Sequence, residues 1–182
     1  KVTSEQRSKA KMVSYGLAYG MEAYGLAQRL AIGVNEASEI LEAYFAAFPR
    51  VKKYMYETIE EARKRGYTET LFGRRRSIPE LQNPNFRIRQ IGERQAMNSG
   101  IQGLAADIFK VALVQLDQAL ESEKFESRLV LQVHDEVIVE GVVAEKQEVE
   151  ALVRKSMRDA AKLAVPLEVN LAWGETWAAA KA

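Results

Sequence analysis

Two acidic side chains stand together in the run LVLQVHDEVIVE, Leu129 to Glu140, directly after the only histidine of the 182 residues. His134, Asp135 and Glu136 interrupt two β-branched stretches, Leu129 to Val133 and Val137 to Val139. That pattern predicts a β-hairpin with acids at its tip. Carboxylates held at the end of a rigid strand pair offer hard oxygens to a divalent cation. An exposed Asp/Glu turn without chemistry has the same local pattern.

A second constellation lies near the N-terminus. Residues 5 to 19 have helical composition and carry Arg7, Lys11, Tyr15 and Tyr19 at steps of four, on one face. Two cations followed by two aromatic rings can hold phosphates at one end and stack on a flat base at the other. An amphipathic helix with snorkelling cations and buried tyrosines has the same spacing. Gly16 and Gly20 each follow a tyrosine, where close approach of a ligand or a neighbouring helix gives glycine a use.

A third set is basic and polar. Arg74, Arg75 and Arg76 follow Gly73 on an expected loop, and three adjacent guanidiniums suit a phosphate backbone. Arg94, Asn98 and Gln102 repeat at steps of four on a long helical stretch. Such donors reach base edges or sugars in a groove, and in the minor groove they test pair geometry without choosing a sequence. A solvated loop and an exposed polar face are the plain alternatives.

The elements that must position these groups read as follows. Met21 to Ala31 predicts a short helix ended by Gly33, with Asn35 as N-cap of the next. Ile40, Leu41, Tyr44, Phe45 and Phe48 form that helix's apolar face. Pro49 starts another, with Val51, Tyr54, Met55, Ile59 and Ala62 inward, ending near Gly66. Tyr67 to Leu71 alternates as a strand. A long helix runs from about Asn85 to Leu120, with a bend expected near Ser99 and Gly100. Beyond the hairpin come a helix over Glu145 to Ala164, a strand over Leu167 to Trp173, and a short tail. The fold class is α+β: a mostly helical lobe, residues 1–84, and a second lobe, residues 85–182, whose small antiparallel sheet carries the acidic hairpin.

Composition bounds the rest. With 47% hydrophobic residues the chain can bury a core, as one domain or two lobes. Without cysteine it has no disulfide or thiolate metal site, so a reducing cytosol is expected. No apolar run is long enough to span a membrane, which predicts a soluble protein without a membrane partner. The net charge of +1 is uninformative, but its distribution is not. Residues 1–20 carry +3, residues 63–94 carry +6, and residues 95–182 carry −5. Segregation of this kind pairs an anion-binding lobe with one that holds cations.

Taken together, the motifs resemble those of family A DNA polymerases, the DNA polymerase I group. RSKAKMVSYGLAYGM, from Arg7, is similar to that family's fingers-helix motif of Arg, three residues, Lys, six or seven residues, and Tyr-Gly. TLFGRRRSIP from Thr70, ERQAMNSGIQGLAADIFK from Glu93 and QVHDE from Gln132 follow in the family's order and spacing, over essentially the whole chain.

The resemblance implies template-directed DNA synthesis: nucleotidyl transfer from a dNTP to a primer 3′-hydroxyl by a two-metal mechanism with two Mg2+ ions. It implies that Arg7 and Lys11 grip the triphosphate and that Lys11 protonates the departing pyrophosphate. Tyr15 would pack on the nucleotide's sugar and base, the Tyr type going with easier acceptance of dideoxynucleotides, and Tyr19 would lie beside the templating base. Arg74, Arg75, Arg76, Arg94, Asn98 and Gln102 would contact primer-template DNA, with His134 near the primer end. Asp135 would be the catalytic metal ligand and Glu136 a supporting acid.

The chain departs from the family in one respect. The family's earlier strand, with a second catalytic aspartate, has no counterpart before Arg7, and neither has the thumb. The expectation is therefore a C-terminal piece, residues 1–84 from the fingers and 85–182 from the later palm, inactive or weakly active alone and dependent on the remaining polymerase segments, in a bacterial cytosol or nucleoid. A single-subunit RNA polymerase fragment shares the Lys and Tyr-Gly signature. A noncatalytic DNA-binding module fits the basic lobe. A metal-dependent hydrolase using His134 and Asp135 would need further ligands, and there is no other histidine.

Overall fold

The computed structural model describes residues 2–181. The fold is α+β, as expected, with long helices and two small two-stranded antiparallel sheets. It divides into two compact units, residues 1–104 and 105–182.

In the first unit four helices precede the first sheet: α1 (Ser4–Ala18), α2 (Ala23–Leu30), α3 (Val34–Ala47) and α4 (Pro49–Arg65). Helix α1 starts on a capping box. The Thr3 hydroxyl accepts from the Gln6 N–H, and the Gln6 side chain accepts from the Thr3 N–H. Its apolar face places Val13 and Leu17 in a core with Leu26, Ala27 and Ala37. Two expectations fail here. Asn35 lies inside α3, whose N-cap is Gly33 in extended conformation, because Val34 already takes the first helical position. Phe48 and Tyr54 are exposed (53% and 41%) rather than inward, Phe48 because it sits at the α3–α4 junction, where it is C-cap of one helix and N-cap of the other.

Helix α4 begins at Pro49, whose missing N–H costs nothing in a first turn, and ends at Gly66 in left-handed conformation (φ 75°). Strands β1 (Tyr67–Glu69) and β2 (Arg75–Ser77) follow, in register Tyr67 to Ser77 and Glu69 to Arg75. Two of the three arginines expected on a loop are thus strand residues, held by that pairing. Ala62, Ile78, Leu81 and Ala96 form a second core.

Helix α5 (Phe86–Ser122) is continuous through Ser99 and Gly100. Its later part, in the second unit, buries Ala112, Leu116 and Leu120. Leu116 and Leu120 pack with Val149 and Val153 of α6 (Lys146–Arg158) and with Leu129, Val137 and Val139 of the hairpin. The hairpin is β3 (Arg128–Val133) and β4 (Glu136–Glu140), with a bulge between Leu129 and Leu131. Glu145 staples its base, accepting from the N–H groups of Glu126 and Ser127 and from the Ser127 hydroxyl, at 2.6–2.9 Å. Those donors hold the Glu145 carboxyl below its ordinary pKa.

The C-terminal region differs most from expectation. Helix α6 ends at Arg158 rather than Ala164, with Asp159 as C-cap and a turn at residues 159–160, so the chain leaves the helix well before Pro166. Residues 167–173 form no strand, although burial alternates along them with Leu167, Val169, Leu171 and Trp173 inward. Side-chain alternation needs only an apolar floor, whereas a strand needs a ladder partner. The Val169 carbonyl instead accepts from the Arg154 guanidinium at 2.7 Å. The expected tail contains a helical turn, α7 (Trp177–Ala180), capped by Thr176. Among the described residues no helix is long and apolar enough to cross a membrane.

Candidate functional site

Helix α1 turns the four-residue spacing into a surface. Arg7 and Lys11 are exposed, and the Lys11 ammonium sits 5.5 Å from the centre of the Tyr15 ring. Tyr15 and Tyr19 are 56% and 53% exposed, which removes the reading of buried core tyrosines. Tyr19 lies just past the helix as its C-cap, its N–H donating to the Tyr15 carbonyl. Among the described residues no carboxylate pairs with Arg7 or Lys11, so both charges are open to an external anion.

Gly20 takes a left-handed φ of 68°, and a Cβ there would stand 2.5 Å from Met97 Cε and 3.0 Å from Arg94 Cγ. The end of α1 therefore lies directly on the α5 segment that bears Arg94. What approaches this glycine is a neighbouring helix.

On α5 the Asn98 side chain donates to the Arg94 carbonyl at 2.9 Å. Arg94, Asn98 and Gln102 line an open cleft of about 260 Å3 with Arg76, Ile91 and Gln95. The cleft joins the helical stripe to one of the three arginines. Ile91 and Gln95 were not singled out from the sequence, since neither falls on the polar four-residue stripe.

The arginines are not equivalent. Arg75 pairs with Glu69, its cross-strand neighbour, and its guanidinium lies 4.9 Å from the centre of the Tyr67 ring. The bond to Glu69 raises the Arg75 pKa further above its ordinary value. Arg76 has no carboxylate partner among the described residues. Arg74 closes the turn, where the Thr70 hydroxyl accepts from the N–H groups of both Phe72 and Arg74, each at 3.2 Å. Arg63 braces α5 from α4, bridging Glu60 and Glu93 at 2.6 Å each, so the residue before Arg94 is tethered.

In the second unit the pairing of Val133 with Glu136 leaves His134 and Asp135 as a two-residue turn. His134 has φ 54°, a strained conformation for a side chain with a Cβ, and its carbonyl accepts from the Gln132 amide at 2.8 Å. His134 and Asp135 are exposed. Glu136 belongs to β4, and its Oε2 lies 2.8 Å from the Lys181 ammonium, an ion pair outside hydrogen-bond geometry. Lys181 also stands over the Trp177 ring at 4.6 Å. Lys181 carried no local signal, because it reaches Glu136 only through the fold.

A divalent cation takes six or so oxygen ligands. Among the described residues no three His, Asp or Glu side chains converge to hold one. Asp135 has the right donor chemistry and no ion-pair partner among the described residues, while Glu136 is paired with Lys181. The described residues therefore do not close a cation site by themselves.

Known proteins match throughout. The sequence profile of DNA polymerase family A covers residues 1–179. DNA polymerase I of Mycobacterium tuberculosis (strain H37Rv) is 51% identical over 179 residues, 98% of this chain and 20% of that protein. The DNA polymerase I of Bacillus caldotenax is 46% identical over 180 residues, 99% of this chain and 20% of that protein. Among solved structures, the POL domain of Pol1 from M. smegmatis in complex with DNA primer-template and dNTP superposes with a TM-score of 0.97 at 48% identity. It covers 100% of this chain and 32% of that one. The chain thus spans about a fifth of the curated relatives it matches.

Proposed function

This chain belongs to DNA polymerase family A, and we propose that it supplies the nucleotide-gripping and duplex-reading parts of an enzyme that extends a primer 3′-hydroxyl on a DNA template. The observation that carries this reading is the α1 face: Arg7 and Lys11, with no carboxylate partner among the described residues, in line with the exposed Tyr15 ring. Cations left unneutralised on a capped helix are preorganised for a polyphosphate.

In this reading Arg7 and Lys11 hold the triphosphate of an incoming dNTP, and the Lys11 ammonium gives a proton to the leaving pyrophosphate oxygen. Tyr15 packs on the nucleotide's sugar and base, and Tyr19 lies beside the templating base. Arg76, Arg94, Asn98 and Gln102 face the primer-template duplex from one cleft, where donors meet minor-groove acceptors whatever the sequence. Arg74 and Arg75 add positive potential, Arg75 the less because Glu69 already occupies it. His134 lies near the primer end.

Asp135 is the proposed metal-binding carboxylate, with Glu136 in a lesser supporting role. The two Mg2+ ions of a two-metal route would, when bound, activate the primer hydroxyl and neutralise the phosphates. Their remaining ligands come from polymerase segments beyond these residues, a first palm strand among them, with a thumb completing the grip on DNA. The two-stranded β3–β4 sheet is consistent with this, since an isolated hairpin is marginal and an open edge accepts a further strand. We place the functional division between fingers and later palm at residues 84 and 85, the setting in a bacterial cytosol or nucleoid, and synthesis by residues 1–182 alone at or near zero.

The test is Asp135→Ala in the complete polymerase, read by primer extension and by primer-template binding. Lost extension with retained binding is the expected result. Unchanged extension would leave a noncatalytic DNA-binding module, and preference for rNTP over dNTP would point to an RNA polymerase.

A further inference from the structure

The second unit carries nine basic and fourteen acidic residues, a net charge of −5. Four of its nine cations, Arg154, Lys155, Arg158 and Lys162, nevertheless line a single open cleft of about 580 Å3, with Asp159 as the only acid. The cleft lies at the end of α6, whose inward face is taken by Val149, Val153 and Ser156. Its remaining wall is aliphatic: Leu163, Val165, Pro166 and Leu167, with Val165 70% exposed.

Within α6, Arg154 and Arg158 are like charges four apart and repel by a few tenths of a kcal/mol, and Lys162 adds a further cation just past the helix end. The negative end of the α6 dipole compensates Lys155 and Arg158 in the last turn, and leaves Lys162 beyond its reach. A surface with no partner gains nothing from this concentration of charge in an otherwise acidic unit. Its lining residues include no aromatic ring, so it has no platform for stacking a base. Cations around an exposed aliphatic wall complement acidic side chains flanking an apolar one.

We propose that this cleft is a docking site for an acidic protein segment that inserts an aliphatic side chain against Val165 and Leu167. It lies outside the residues assigned to nucleotide and duplex binding, and its occupation does not depend on that assignment. Arg154 is partly committed to the Val169 carbonyl, which holds the aliphatic wall in place. Lys155, Arg158 and Lys162 remain for the ligand.

The complete protein is titrated into a short fluorescein-labelled peptide alternating glutamate and leucine, followed by fluorescence polarisation. A glutamate-only peptide and a single-stranded oligonucleotide of equal charge serve as parallel probes. Binding of the mixed peptide should weaken about tenfold or more in Arg158→Glu/Lys162→Glu and several-fold in the milder Lys155→Gln/Lys162→Gln. The glutamate-only peptide should bind more weakly than the mixed one, and primer extension should be unchanged in both variants. The proposal is overturned if the wild-type protein does not bind the mixed peptide, if wild type and both variants bind it alike, or if the double variants lose only the oligonucleotide.

Discussion

The Cγ2 methyl of Thr70 lies 2.6 Å from the point where a Cβ on Gly103 would stand. The same threonine's hydroxyl closes the arginine turn, accepting from Phe72 and Arg74. One side chain thus shapes the turn and seats it on α5, one residue beyond Gln102. In an ordinary helix Gly→Ala stabilises by about 1 kcal/mol. At this position Gly103→Ala should instead destabilise by about 1–3 kcal/mol through overpacking. Thr70→Ser keeps the acceptor and removes the methyl, so the double variant should recover most of the loss. A double-mutant cycle by denaturant unfolding measures the coupling, and additive effects would show that the two groups do not meet.

Lys11→Ala in the complete polymerase should lower kcat for primer extension by about 10²–10⁴, the range for losing a general acid. Arg7→Ala should act more on the KM for dNTP. Steady-state kinetics with varied dNTP separates the two, and equal effects on both constants for both variants would contradict the division of roles.

Arg76→Ala should reduce the slope of log K against log salt for primer-template binding by about one unit, as expected for one lost phosphate contact. Arg75→Ala should change the slope less, because Glu69 already neutralises that guanidinium. Binding isotherms over a salt series decide it. A larger effect at Arg75 would mean that the Glu69 pair opens on DNA.

Glu145 contributes stability that depends on pH. Its carboxyl is held below its ordinary pKa chiefly by the Ser127 hydroxyl. The unfolded chain therefore binds the proton more readily, and stability is present above the unfolded value of about 4.3 and lost as pH falls through the lower folded value. Glu145→Gln should lower Tm at neutral pH, and the gap to wild type should close on acidification. Melting curves across that range test it, and a gap independent of pH would assign the effect to packing.

Helix α4 was legible at both ends because Pro49 and Gly66 act locally, the one as a pre-set first turn and the other as a left-handed cap. The hairpin was legible because two β-branched runs around a polar centre need no distant partner to be read, although the pairing of Val133 with Glu136 moves Glu136 from that centre into β4. The stripes Arg7 to Tyr15 and Arg94 to Gln102 were equally plain, since a step of four puts side chains on one helical face in any fold. Local pattern could not say which of these groups stay free. Arg75 and Arg76 are neighbours of one residue type, yet pairing in β2 set one against Glu69 and left the other in the cleft. Asp135 and Glu136 are adjacent acids, yet Lys181, 45 positions further along the chain, reached only one of them. Residues 167–173 kept the alternation of a strand without becoming one, because burial follows the side chains and a strand requires a second backbone. The sequence by itself determined which chemistry stands on which helical face or hairpin turn. The tertiary structure decided which of those charges are already satisfied, because ion pairs and ladder bonds join residues whose separation along the chain carries no signal.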